Sequence, residues 1–216
     1  MKILCYGDSN TWGYVPNING YSKNAVMKQY AEQNCWWYAL KLKHSVVVDG
    51  LCGRAIAHEN PWLKGRNALS TIQNDMSRFG KLDLIILQLG TNDCKSQYAE
   101  TSASILKNYS QLLEKVREVS NAQIVLISPA QIREDNAITK KYYVGACELT
   151  KKLDSDLKQF AKQNQCYFVS GFGLETGEDG EHLTLAGHAE LGCEIVNLVN
   201  VLQSKINQEY YDLHQR

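Results

Sequence analysis

Short apolar runs alternate along the chain with stretches whose apolar residues recur every three or four positions. The short runs, 3–6, 45–48, 82–89, 123–127 and 166–169, are rich in Ile, Val, Leu, Tyr and Phe, and several end at Gly, Asp or Ser. Runs of this kind predict strands. Helical spacing predicts helices over 30–43, over 68–79 and over 142–163. A clearer one passes through Ile105, Tyr109, Leu112, Leu113 and Val116, and a last one follows Thr184, a candidate N-cap, through Leu191, Ile195, Leu198 and Leu202. The run Leu84-Ile85-Ile86-Leu87 is apolar at every position, as suits a strand buried on both faces. Five strands alternating with helices predict an α/β fold of three layers, a five-stranded parallel sheet with helices on both sides. Ligands of such sheets bind beyond the carboxyl ends of the strands. Segments 15–28 and 134–141 lack periodicity and are read as irregular borders of a substrate pocket.

The 216 residues suit a single domain, 1–216. Hydrophobic residues at 44% and charged residues at 21% exclude wholesale disorder. Lys+Arg and Asp+Glu are 23 each, so no global field gathers nucleic acid or an anionic membrane surface. The most apolar stretch, 82–89, is interrupted by Asp83 and Gln88 and falls far short of the ~20 residues that span a bilayer. The start lacks the pattern of a secretory signal. The seven cysteines form no C-x-x-C pair, so they are read as reduced thiols and the chain is expected to be cytoplasmic. His58-Glu59 has no second His four residues on, and Gly171-x-Gly173 is followed by Thr176 where a dinucleotide motif needs Gly.

The chemistry-bearing residues gather just past the strands. After the first comes Gly7-Asp8-Ser9-Asn10-Thr11, where a serine hydroxyl can stand beside oriented backbone N–H groups; alone it reads more simply as a turn or cap. After the second comes Asp49-Gly50-Leu51-Cys52-Gly53-Arg54, whose glycines allow close approach of backbone to a ligand. After the third comes Gly90-Thr91-Asn92-Asp93, whose side-chain amide can donate to an oxyanion or form an Asx turn. After the fifth comes Asp179-x-x-His182, a carboxylate spaced to meet the imidazole Nδ1 through one turn. Each element has an ordinary structural reading; together they supply nucleophile, oxyanion donors, base and orienting carboxylate.

With these four blocks in this order over essentially its whole length, the chain resembles the SGNH superfamily, also called GDSL-type esterases. The likeness is strongest to its arylesterase and acyltransferase branch, through Gly7-Asp8-Ser9-Asn10-Thr11-Trp12-Gly13-Tyr14, Gly50-Leu51-Cys52-Gly53-Arg54 and Gly65-Arg66-Asn67. The resemblance implies a flavodoxin-like SGNH hydrolase fold and a Ser–His–Asp mechanism that uses no metal or cofactor. Ser9 would be the nucleophile, His182 the general base and acid, and Asp179 its partner. Ser9, Gly53 and Asn92 would form the oxyanion hole, and Asp8, Asn10, Trp12 and Cys52 are candidates for the substrate pocket. The chain departs from the family pattern at Asn10 in place of Leu, at Cys52 in place of Ser, and at Cys35 where Arg usually precedes Trp36.

The expected activity is hydrolysis of small acetyl or aryl esters through an acyl-enzyme, with acyl transfer to other acceptors as an extension. The alternatives are a carbohydrate O-deacetylase of the same superfamily and a catalytically silent ligand-binding relative. The expected partner is a small ester, with no nucleic acid or membrane. Relatives often assemble, so a homo-oligomer is also expected, with the tail 208–216 and its Tyr210 and Tyr211 as a candidate contact.

Overall fold

The computed structural model describes residues 1–20 and 26–214, with side chains through Lys205. Its strands are β1 (Lys2–Gly7), β2 (Ser45–Gly50), β3 (Leu84–Gln88), β4 (Gln123–Ile127) and β5 (Tyr167–Val169), paired in the order β2-β1-β3-β4-β5. Every pairing is parallel. This is the flavodoxin-like order, and the chain reverses its direction of travel across the sheet between β1 and β3. The helices are α1 (Ser9–Trp12), α2 (Tyr38–Lys41), α3 (Ala68–Ser77), α4 (Ser102–Val119), α5 (Ala137–Tyr142), α6 (Ala146–Gln163) and α7 (Leu185–His214).

Alternation along each strand divides the apolar side chains between two cores. Leu4, Tyr6, Ile85, Leu87 and Leu126 join Ile72, Leu112 and Leu157 of α3, α4 and α6. Ile3, Cys5, Ile86, Val125 and Ile127 join Trp36, Leu40 and the Leu191, Ile195 and Val199 stripe of α7. With both faces covered, β3 is buried along its whole length, as its unbroken apolar run requires.

Two segments depart from the sequence expectations. The helix expected over 30–43 is a 3-10 turn at Glu32–Asn34 followed by the short α2. Trp36 and Trp37 are both buried, and their indoles point to separate anchors: Trp36 Nε1 donates to Gln88 Oε1 at 2.9 Å, and Trp37 Nε1 to the Thr11 carbonyl at 2.8 Å. Satisfying both indoles takes precedence over helical regularity. Conversely, segment 134–141 contains α5, begun by Asn136, whose Oδ1 accepts from the N–H groups of Ile138 and Thr139. The proposed contact through Tyr210 and Tyr211 involves side chains outside the described residues. No helix among the described residues is long and apolar enough to cross a membrane.

Candidate active site

The chain leaves β1 through Asp8, whose Oδ1 caps α1 by accepting from Asn10 N–H at 2.9 Å. One helical turn later, Gly13 closes α1 in a left-handed conformation, φ 89°, where a side chain would be strained. Ser9 therefore occupies the first helical position, where the backbone N–H has no partner within the helix. Gly50 accommodates α1: a Cβ there would lie 2.3 Å from Trp12 N. Thr11 Oγ1 donates to Gln88 Oε1 at 2.7 Å, tying α1 to the end of β3.

The loop before α7 brings the imidazole to this serine. Asp179 Oδ1 accepts from the N–H groups of Glu181 and His182 at 3.2 and 3.1 Å, an Asx turn that folds His182 back over the carboxylate. Asp179 Oδ2 then lies 2.9 Å from His182 Nδ1, and His182 Nε2 lies 2.8 Å from Ser9 Oγ. Nδ1 donates to the carboxylate, which leaves Nε2 as the acceptor for the serine hydroxyl. The Tyr14 ring stacks on the imidazole, centroids 4.3 Å apart. Asn10 joins the two loops: its Nδ2 donates to the Glu181 carbonyl at 3.3 Å, and its Oδ1 accepts from Leu183 N–H at 2.9 Å.

Burial alone would push the His182 pKa down, but the carboxylates of Glu181, Asp179 and Asp8 outweigh it and hold it above its ordinary value. Burial alone would raise Asp179; the hydrogen bond and charge of His182, with the N–H groups of Asn17 and His182, bring it below the usual carboxylate range. At Asp8 burial outweighs the hydrogen bonds from Asn10 and Thr91 and the charge of His182, and pushes it up to about 6. The Cys52 thiol is pushed up to about 12, chiefly by burial and then by Asp8, so it stays protonated near neutrality.

Facing this chain are groups from the ends of β2 and β3. Gly53 adopts φ 80° in the turn closed by Arg54 N–H to the Leu51 carbonyl. The buried Arg54 guanidinium braces that turn, donating to the Gly7 carbonyl at 2.9 Å and Asp49 Oδ1 at 2.7 Å while lying over the Tyr6 ring. Asn92 Nδ2 donates to the Arg54 carbonyl at 3.1 Å, and Lys95 Nζ donates to Asn92 Oδ1 at 2.9 Å. Next to it, Asp93 is fully buried and accepts from Ile56 N–H.

Ser9, His182, Gly53 and Asn92 share a cavity of about 500 Å³. Of the pocket candidates read from sequence, only Cys52 lines it. Asp8 is instead a buried helix cap, Asn10 the clamp between loops, and Trp12 a half-buried ring tilted against Tyr14. Residues that sequence reasoning gave no site role also line the cavity, among them Tyr14, Asn60, Leu63, Lys95, Tyr142 and Glu181. Tyr14 was within reach, since it lies in the block quoted around Ser9; nothing local marks Lys95 or Glu181. Cys35, where the family pattern led us to expect Arg, is buried, with its Sγ only 2.5 Å from where a Cβ on Gly13 would sit.

Among solved structures, the chain is similar to an aryl esterase of M. smegmatis, with 25% identity and a TM-score of 0.84 over 93% of this chain and 99% of that one. It is also similar to a carbohydrate acetylesterase family member from Sinorhizobium meliloti, at 26% identity and a TM-score of 0.81 over 93% and 97% of the two chains. A carbohydrate acetylesterase from the same organism shares the fold, with 24% identity and a TM-score of 0.83 over 93% and 99%. No curated protein matches the sequence significantly. The family model for GDSL-like lipases and acylhydrolases matches residues 5–190, which takes in every strand-end block described above; the chain therefore belongs to the GDSL-like lipase/acylhydrolase family and is an ester hydrolase.

Proposed function

We propose that the protein hydrolyses esters with short acyl groups through an acyl-enzyme on Ser9. The observation that carries this reading is the unbroken chain from Asp179 Oδ2 through His182 to Ser9 Oγ, opening on the cavity. Ser9 Oγ bonds to the ester carbonyl carbon as its proton passes to His182 Nε2, and Asp179 steadies the imidazolium. The oxyanion takes hydrogen bonds from the Ser9 and Gly53 N–H groups and the Asn92 amide. Collapse breaks the bond to the alcohol, which leaves with the proton from His182. Water then attacks the acyl-enzyme under the same base, and another alcohol in its place would give acyl transfer.

The likeness to an aryl esterase and to carbohydrate acetylesterases supports a short acyl group. The cavity wall is mixed: Lys95, Glu181, Asn92 and Asn60 stand beside Tyr14, Met27, Trp62 and Leu63, and each methylene gains ~0.8 kcal/mol only where it meets the apolar part. One observation favours a carbohydrate ester as the second reading: Trp62, 70% exposed, offers an aromatic face at the edge of the cavity. Rates on p-nitrophenyl esters from C2 to C12, set beside acetate release from peracetylated sugars, separate the possibilities. A steep C2 preference is expected. A C8–C12 optimum would exclude the short-acyl reading, and no turnover on any ester would leave a silent binding protein.

The electrostatics predict a pH profile. His182 must be neutral to act, so kcat/KM rises as pH climbs through its raised pKa. Glu181 Oε1 lies 4.0 Å from Nδ1. Glu181→Gln removes that charge while Asp179 and Asp8 remain, so the acid limb is expected to move to lower pH. A limb that stays in place in the pH–rate profile would show that Glu181 does not tune the base.

A further inference from the structure

Lys95 is 8% exposed and lines the cavity beside Asn92. Burying an ammonium is costly unless its environment uses the charge. Its Nζ donates to Asn92 Oδ1, and the Nδ2 of the same amide donates to the Arg54 carbonyl. A flipped amide would set Oδ1 against the Arg54 carbonyl and Nδ2 against the ammonium, two repulsive contacts in place of two attractive ones. The amide nitrogen carries two hydrogens, and with one held by Arg54 the other is left for an acceptor in the cavity. A cation on Oδ1 also draws electron density out of the amide and strengthens that N–H as a donor.

We propose that Lys95 is a positioning residue for ester hydrolysis, fixing and polarising the Asn92 amide so that its second N–H meets the developing oxyanion. This rests on the reading of Ser9 as nucleophile and Asn92 as oxyanion donor. The role is exerted through Asn92, which separates it from general support of the fold and from direct contact with substrate.

The test is a double-mutant cycle on p-nitrophenyl acetate with Lys95→Met, Asn92→Ala and the pair, with Lys95→Arg alongside. Rates are expressed per site titrated with diethyl p-nitrophenyl phosphate, so unfolded protein does not count as lost kcat. Removing one oxyanion donor costs on the order of 10²–10³ in turnover. Weakening it through Lys95→Met is expected to lower kcat by about 10–100-fold, with KM changed less than about threefold. In the Asn92→Ala background the same change is expected to alter kcat less than about twofold. Lys95→Arg, still a cationic donor, is expected to recover most of the loss. An unchanged kcat in Lys95→Met, multiplying losses in the double variant, or a Lys95→Arg enzyme as slow as Lys95→Met would each overturn the proposal. If Lys95→Met yields no titratable protein, Lys95→Leu takes its place with the same expectations. Full turnover in Ser9→Ala would remove the reading of Ser9 as nucleophile on which the proposal rests, whereas an inactive Ser9→Ala beside an unimpaired Lys95→Met removes only the role of Lys95.

Discussion

Ser9→Ala is expected to lower p-nitrophenyl acetate turnover by about 10⁴-fold or more while leaving the thermal transition close to that of the parent. The substitution deletes one oxygen, whose recorded partner is His182 Nε2 at 2.8 Å, and leaves the Asp8 cap, the Gly13 closure and the Thr11–Gln88 bond of α1 in place. Among the described residues, no other side chain on the cavity stands ready to replace it. Cys52 is the nearest in chemistry, but its thiol, pushed up to about 12, supplies almost no thiolate at neutral pH. The kcat measurement should accompany a melting curve. Retained turnover with intact folding would move the nucleophile elsewhere.

Asp179→Asn is expected to lower kcat on the order of 10⁴-fold, as the corresponding change does in Ser–His–Asp hydrolases. A carboxylate accepts from Nδ1 and so leaves Nε2 free to take a proton; an amide nitrogen at Oδ2 favours the opposite tautomer. That oxygen also accepts from Asn17 N–H at 2.8 Å, so the amide opposes a second donor there. Stability should change with a defined pH dependence. The lowered pKa of Asp179 contributes stability above its unfolded value, lost as pH falls through the folded value. The raised pKa of His182 contributes stability below its unfolded value, lost as pH rises through the folded one. The pair thus stabilises the fold most between the two unfolded pKa values, and the contribution falls away as pH passes toward and beyond either folded value. The melting-temperature gap between parent and variant is expected to narrow as pH rises past the His182 value. A gap independent of pH would mean that the two groups are not coupled.

The five strands and the order of the blocks were legible because each is written in consecutive residues. So was the meeting of Asp179 with His182, since one Asx turn spans their spacing. What escaped depends on packing. The segment 30–43 has helical spacing, yet two neighbouring indoles with anchors on α1 and β3 break it. Asp8, Asn10 and Trp12 looked like pocket residues because they adjoin Ser9 in sequence, while in the fold they cap α1, bridge to the His182 loop and pack on Tyr14. Lys95 and Glu181 carry ordinary surface chemistry in a linear reading. Only the closure of α5 and the His182 loop over the end of β3 turns them into buried charges. The Asn136 cap of α5 was visible in sequence and would have identified that helix.

The Asn10 clamp has a consequence for synthesis. Ser9 and Asn10 are made long before their partners: His182 lies 173 positions after Ser9, and Leu183 173 after Asn10. A growing chain can build β1, and then the sheet around it, without possessing any competent nucleophile. Chemistry begins only when the chain through the His182 loop has left the ribosome and that loop has returned to the end of β1. The cell is thereby spared a half-made hydrolase.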